Sequence, residues 1–145
     1  MSIEQNVEKW HQYIRKELPG GLDELLADDV EFISPIVFTP QKGKVLTKMY
    51  LSAAGNTFSD GDKNKSVGES NSPFKYIKEV MSGNQAVLEF ETELAGKYVN
   101  GVDIITWNDA GKITEFKVMI RPLQAVNLMH EKMKEMLEAL SKKND

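Results

Sequence analysis

The chain has 145 residues, 41% of them hydrophobic and 28% charged, which suits a single soluble domain with a sizeable core. Its formal net charge is −4 and no long basic run occurs, which disfavours nucleic acid and anionic membranes, since both need clustered lysine and arginine. Without cysteine there are neither disulfides nor thiolate metal sites, and with only two histidines a transition-metal centre is not expected.

The polar N-terminus does not read as a secretory signal, and no apolar run approaches the roughly 20 residues of a membrane span. A cytoplasmic location is the expectation. Ser2 and Gln5 have the spacing of a capping box. Ile3, Val7, Trp10, Ile14 and Leu18 follow as a helical stripe, closed by Pro19-Gly20-Gly21. Leu22 to Ala27 predicts a short second helix ended by Asp28-Asp29, and Val30 to Ile33 a short strand. The segment from Ser34-Pro35 to Pro40-Gln41-Lys42-Gly43 is a loop, yet it carries Ile36, Val37 and Phe38. It either packs back on the core or rims a pocket. Lys44 to Ala54 predicts a third helix.

Residues 59–72 have little to bury and predict a mobile loop. Asp60, Asp62 and Asn64 start like a calcium loop, but Lys65 and Asn71 stand where glycine and glutamate are required. Strands are predicted over Phe74–Met81, Ala86–Leu94, Tyr98–Trp107 and Ile113–Ile120. In the second, Glu89, Glu91 and Glu93 alternate with the apolar face, which reads as a solvated face. A last helix over 122–142 carries Leu123, Val126, His130, Met133, Leu137 and Leu140 on one stripe. Helices, then antiparallel strands, then a helix is an α+β layout in one domain spanning 1–145.

The segment Gly101-Val102-Asp103-Ile104-Ile105-Thr106-Trp107 sets Asp103, Ile105 and Trp107 on one strand face. An acid beside isoleucine and tryptophan is the chemical oddity of the chain. By alternation, Leu88, Phe90 and Thr92, then Ile105, then Phe116, Val118 and Ile120 share the inner face with it. Trp10, Tyr13, Ile14, Phe32, Ser34, Tyr50 and Phe58 add helical and loop walls. A few polar groups in an apolar concavity is the general form of a small-molecule site. Desolvation raises the pKa of such an acid. It then serves as a hydrogen-bond donor to a carbonyl when protonated, or as a base when ionised. The alternative is that it bonds a nearby tyrosine or backbone amide and only satisfies a buried polar spot. No phosphate loop is present, and no cofactor is expected.

The stretches "LDELLADDVEFISP" and "GVDIITWNDAGKI", with the helix led by Gly43, resemble the nuclear-transport-factor-2-like superfamily and its SnoaL-like group. The resemblance implies a cone-shaped α+β barrel, N-terminal helices packed on a curved, mostly antiparallel sheet. It also implies an apolar cavity and a homodimer, to which the apolar stripe of the last helix adds. The superfamily includes ketosteroid isomerases, polyketide cyclases and epoxide hydrolases. Against the isomerase pattern, Asp103 falls on the oxyanion acid, Ser34 on the base, and Trp10 on the oxyanion tyrosine, with Tyr13 one turn away. One role of the three is kept, which argues against steroid isomerisation by that mechanism. The hydrolase pattern needs an arginine among the carboxylates, and Arg15 and Arg121 are poorly placed for it.

These residues imply a pocket protein for a small apolar molecule, working without a cofactor on a carbonyl-type ligand through Asp103. The alternatives are a non-catalytic carrier and a dimeric interaction module with a filled cavity.

Overall fold

The computed structural model describes the backbone of residues 2–63 and 74–143, and side chains over 2–55 and 74–139. Four helices and six strands run in the order α1 (Ile3–Ile14), α2 (Gly21–Leu25), β1 (Leu26–Ile33), β2 (Gln41–Lys42), α3 (Lys44–Lys63), β3 (Lys75–Ser82), β4 (Gln85–Leu94), β5 (Lys97–Trp107), β6 (Ile113–Arg121) and α4 (Leu123–Lys143). The fold is α+β. The strands form one sheet in the order β2-β1-β6-β5-β4-β3. Every pairing is antiparallel except β1 with β6, so the sheet is mixed, and it stays open rather than closing into a barrel.

Local chemistry sets the element ends. Ser2 Oγ accepts from the Gln5 amide at 3.1 Å while Gln5 Oε1 accepts from the Ser2 amide at 2.9 Å, so the capping box opens α1. The helix ends at Ile14, short of the predicted Leu18. Lys16 adopts a left-handed φ of 63°, and the Lys16 and Glu17 amides donate back to the Tyr13 and Gln12 carbonyls. Asp28 and Asp29 do not end a helix; they lie exposed within β1, which begins at Leu26. The reason is tertiary, because Leu26 and Ala27 are buried in a central strand. Helix α3 runs to Lys63, nine residues past the predicted Ala54, so 59–63 of the predicted loop are helical. Residues 64–72 and the calcium-like pattern's later positions lie outside the described residues. Pro122 precedes α4, where its carbonyl accepts from the Ala125 and Val126 amides.

The inner face carries two cores. One joins Val7 and Trp10 of α1 and Leu22 and Leu25 of α2 to Leu88, Ile105, Trp107 and Phe116 of the sheet. The other joins Ala125 and Met129 of α4 to Phe90, Leu94 and Val99. In β4, burial alternates along the whole strand. Glu89, Glu91 and Glu93 therefore face outward, where Asn100 donates to Glu89 and Tyr98 donates to Glu91. At the end of β5, Asn108 Oδ1 accepts from the Ala110 and Lys112 amides, both at 3.0 Å, and Gly111 supplies the positive φ of the turn.

Candidate functional site

Between the two cores lies a cavity of about 440 Å³. Helix α1 contributes Trp10, Tyr13 and Ile14 to its wall, and β1 contributes Phe32. The loop after β1 adds Ser34, Pro35, Ile36 and Val37, so this apolar loop rims the pocket. Its tip, Phe38, is 98% exposed. The ring of Tyr50 stacks on Phe32 at 5.4 Å. The sheet supplies Phe74, Tyr76, Phe90, Asp103, Phe116, Val118 and Ile120, and α4 closes one side with Met129, Met133 and Leu137.

Most of the residues expected to meet do so, but three do not. Leu88 and Ile105 are fully buried in the first core, beneath Val7, Leu22 and Leu25, and do not reach the cavity. Thr92 is buried and does not line the cavity, its hydroxyl directed to the Glu93 carbonyl. Alternation assigns a residue to a face; it does not say which part of that face a helix covers. The side chain of Phe58 lies outside the described ones.

Asp103 is 6% exposed on β5, opposite Leu88 of β4 and Val118 of β6. Its Oδ2 accepts from the phenol of Tyr76 at 2.5 Å. The Tyr76 oxygen in turn accepts from Trp10 Nε1 at 2.8 Å. The three side chains form one line, Trp10 to Tyr76 to Asp103, reaching from α1 across β3 to β5. Asp103 Oδ1 has no protein partner among the described residues, and the residue lines the cavity. Burial is the main cause that lifts the Asp103 carboxyl from 3.8 to about 7, and the Tyr76 hydrogen bond opposes it. Burial and the adjacent Asp103 charge push the Tyr76 phenol well above its ordinary range, so Tyr76 keeps its proton. Burial also raises Tyr13.

Tyr76 is the site residue that sequence reasoning missed. Phe74 and Tyr76 alternate at the start of β3, which was the available signal. A register shift between Tyr76 and Lys78 then breaks the parity, so Tyr76, Glu79 and Met81 are the residues paired with inner-face positions of β4. Behind Tyr76, His11 bonds Glu79, and the His11 ring meets the Tyr76 ring edge-on at 5.4 Å.

Gly101 makes room for the Phe90 wall. A Cβ there would stand 2.5 Å from Phe90 Cζ and 2.6 Å from the Met119 carbonyl oxygen. Phe90 uses that space to stack on Phe74 at 4.9 Å. Ser34 accepts from the Ile36 and Val37 amides at 2.9 and 3.3 Å, so its oxygen shapes the rim loop. Arg15 pairs with Glu8 and Glu17 on the surface, and Arg121 donates to Asn100 away from the cavity. An Asp-Arg-Asp arrangement is therefore not formed among the described residues. Nor do three metal-ligating side chains cluster among them.

No model of a known protein family matches the chain, and no curated protein matches it in sequence. Solved structures do. A steroid delta-isomerase from Pseudomonas aeruginosa superposes with a TM-score of 0.82 at 26% identity, covering 97% of this chain and 94% of its own. A protein with a cystatin-like fold from Silicibacter pomeroyi follows at 0.71 and 24%, covering 92% and 83%. The epoxide hydrolase/cyclase-like enzyme SalBIII, from pyran ring formation in the polyether salinomycin, gives 0.57 at 16%, covering 81% and 92%. The chain shares the fold of these proteins, among which an NTF2-like protein from Mesorhizobium loti superposes at 0.64 and 16% identity, covering 83% of this chain and 91% of its own. The neighbours include a steroid isomerase and a cyclase-like enzyme. No helix among the described residues is long and apolar enough to cross a membrane.

Proposed function

We propose that the protein binds a small, mostly apolar carbonyl compound and promotes a cofactor-independent proton-transfer reaction of the isomerase or cyclase type, with Asp103 as the reacting group. One observation carries this reading. Asp103 sits buried at an apolar cavity with Oδ2 held by Tyr76 and Oδ1 without a protein partner. As the acid, Asp103 donates through Oδ1 to a carbonyl oxygen. As the carboxylate, it takes a proton from the carbon beside the carbonyl and returns it further along the molecule, so no atom is lost or gained. A group that titrates at about 7 populates both forms near neutral pH. Trp10 and Tyr76 hold it in place, and successive hydrogen bonds along one line reinforce each other.

A carrier reading is favoured by one feature, the serine at position 34. It supplies no second base, and its oxygen already accepts two amides. The separating experiment is a screen of unsaturated cyclic ketones, following double-bond migration by ultraviolet absorbance in the wild type and in Asp103→Asn. Catalysis predicts turnover that falls at least about a hundredfold in the variant while ligand affinity changes little. Binding with no turnover in either protein supports the carrier. No binding of any carbonyl compound sinks both.

A cytoplasmic homodimer belongs to the same proposal. Much of the apolar stripe on α4 turns to the cavity, with Met129, Met133 and Leu137 on its wall. The outer sheet face instead pairs Val80 with Val87, Val87 with Ile104 and Val102 with Met119, leaving Val80 and Met119 about half exposed, at 53% and 51%. Light scattering that finds a monomer at micromolar concentration overturns the dimer.

A further inference from the structure

The cavity wall carries a second set of polar groups that the proposed chemistry leaves unused. Helix α4 presents two parallel ridges to it. Met129, Met133 and Leu137 form one, and His130, Lys134 and Glu138 form the other. Each ridge steps by four residues, so each is a continuous row along the helix. The second row spans about 12 Å at the helical rise, enough to run along the rim. His130, Lys134 and Glu138 are themselves exposed, so this part of the cavity meets solvent. Asp103, on the same cavity, is buried.

Lys134 is the cation of this row, and no ion pair holds it among the described residues. Its neighbour Lys132 pairs with Glu135 at 4.0 Å. For Lys134 the position four residues back is His130, and Glu131, three residues back, forms no ion pair with it. The position four residues on is Glu138, the poorer orientation for such a pair, and the two lie beyond ion-pair distance. The Lys134 ammonium therefore remains for a ligand group that reaches the rim. Glu138 restrains its strength but does not neutralise it by contact.

We infer that the ligand is amphipathic: a carbonyl at Asp103, an apolar body among the rings of Phe32, Phe90 and Phe116, and at its far end a carboxylate held by Lys134 beside His130. This rests on the reading of the cavity as a carbonyl site and adds the class of molecule that fills it. The protein as a whole carries a charge of −4, which disfavours any anion. A preference for one must then arise locally, and it is diagnostic of this row.

The test uses two probes of one shape. One is a hydroxybiphenyl carboxylic acid with its hydroxyl and carboxylate at opposite ends; the other is its neutral primary amide. The hydroxyl serves Asp103 as an enol-like partner in both. Calorimetry on the full chain at low salt is expected to show the acid binding about two- to fivefold more tightly than the amide, the range of an exposed ion pair. In Lys134→Met that ratio falls to about one, and in Glu138→Gln it rises. Added salt also lowers the wild-type ratio, because the pair lies at the solvent-exposed rim. A ratio of one in the wild type, or an unchanged ratio in Lys134→Met, overturns the inference while leaving the carbonyl site standing, provided the amide binds. If neither probe binds, the carbonyl reading falls and this inference falls with it.

Discussion

The phenol of Tyr76 and the carboxyl of Asp103 meet at 2.5 Å across an intervening strand, one on β3 and the other on β5. Tyr76 spends its proton on Asp103 and its lone pair on Trp10, so it positions the acid instead of facing the ligand. Tyr76→Phe removes the one hydrogen bond that holds the Asp103 pKa down, and so raises that pKa above about 7. It also strands the Trp10 indole, at a cost of about 1–3 kcal/mol. A carboxyl-carbon NMR titration reads the first effect and urea denaturation the second. An unchanged or lowered Asp103 pKa would show that the hydrogen bond does not favour the carboxylate.

Stability should fall as pH rises through the Asp103 window. The folded state holds the proton up to about 7, whereas the unfolded value is 3.8. Between those values the native state binds more protons than the unfolded chain, so raising the pH favours unfolding. The loss begins near the lower value and levels off above the higher one, on the order of 4 kcal/mol in total. Surface carboxylates such as Glu8 and Asp23 are shifted downward and act in the opposite direction. The clean measurement is therefore the difference between wild type and Asp103→Asn. That difference should favour the variant increasingly as pH rises through this interval. A flat difference would mean that Asp103 ionises without penalty.

Gly101→Ala should be among the costlier small substitutions in the sheet. The added carbon meets a backbone oxygen, which cannot swing aside, as well as the Phe90 ring. A loss of about 1–3 kcal/mol is expected by denaturation, the range of overpacking in a well-packed core. Pairing it with Phe90→Leu should recover only part of the loss, because the Met119 carbonyl remains in place. Full recovery would place the whole clash on the ring.

Ser34 separates loop shape from chemistry. Ser34→Ala leaves two amides without their acceptor and should cost about 1 kcal/mol. Ser34→Asp can accept the same amides and adds a carboxylate to the cavity wall. If Asp103 holds a carbonyl, that second carboxylate should raise proton-transfer turnover on unsaturated ketones. A Ser34→Asp protein that binds such ketones without any gain in rate would argue for the carrier.

Much of this molecule was legible in one dimension. Alternation in β4 placed Phe90 and the three glutamates on opposite faces, because a strand has no other choice. The capping box at Ser2 and the turn at Asn108 are local hydrogen bonds between near neighbours, and neighbours are what a sequence displays. The misplaced boundaries have tertiary causes. Leu26 and Ala27 became strand because a central position in the sheet pairs and buries them, and the left-handed Lys16 ended α1 before any proline or glycine did.

The sequence by itself determined that the chain is α+β, that Asp103 shares a strand face with Ile105 and Trp107, and that two histidines and no cysteine leave little for metal chemistry. Only the tertiary structure decided that Asp103 is held by Tyr76, that α1 and α2 bury Leu88 and Ile105, and that α4 brings Lys134 to the cavity. The physical reason is range. Side-chain parity and capping act over two to four residues, whereas 27 residues separate Tyr76 from Asp103 and 66 separate it from Trp10. Contacts at that distance depend on sheet order and a single register shift in β3, and neither is written in the spacing of the residues themselves.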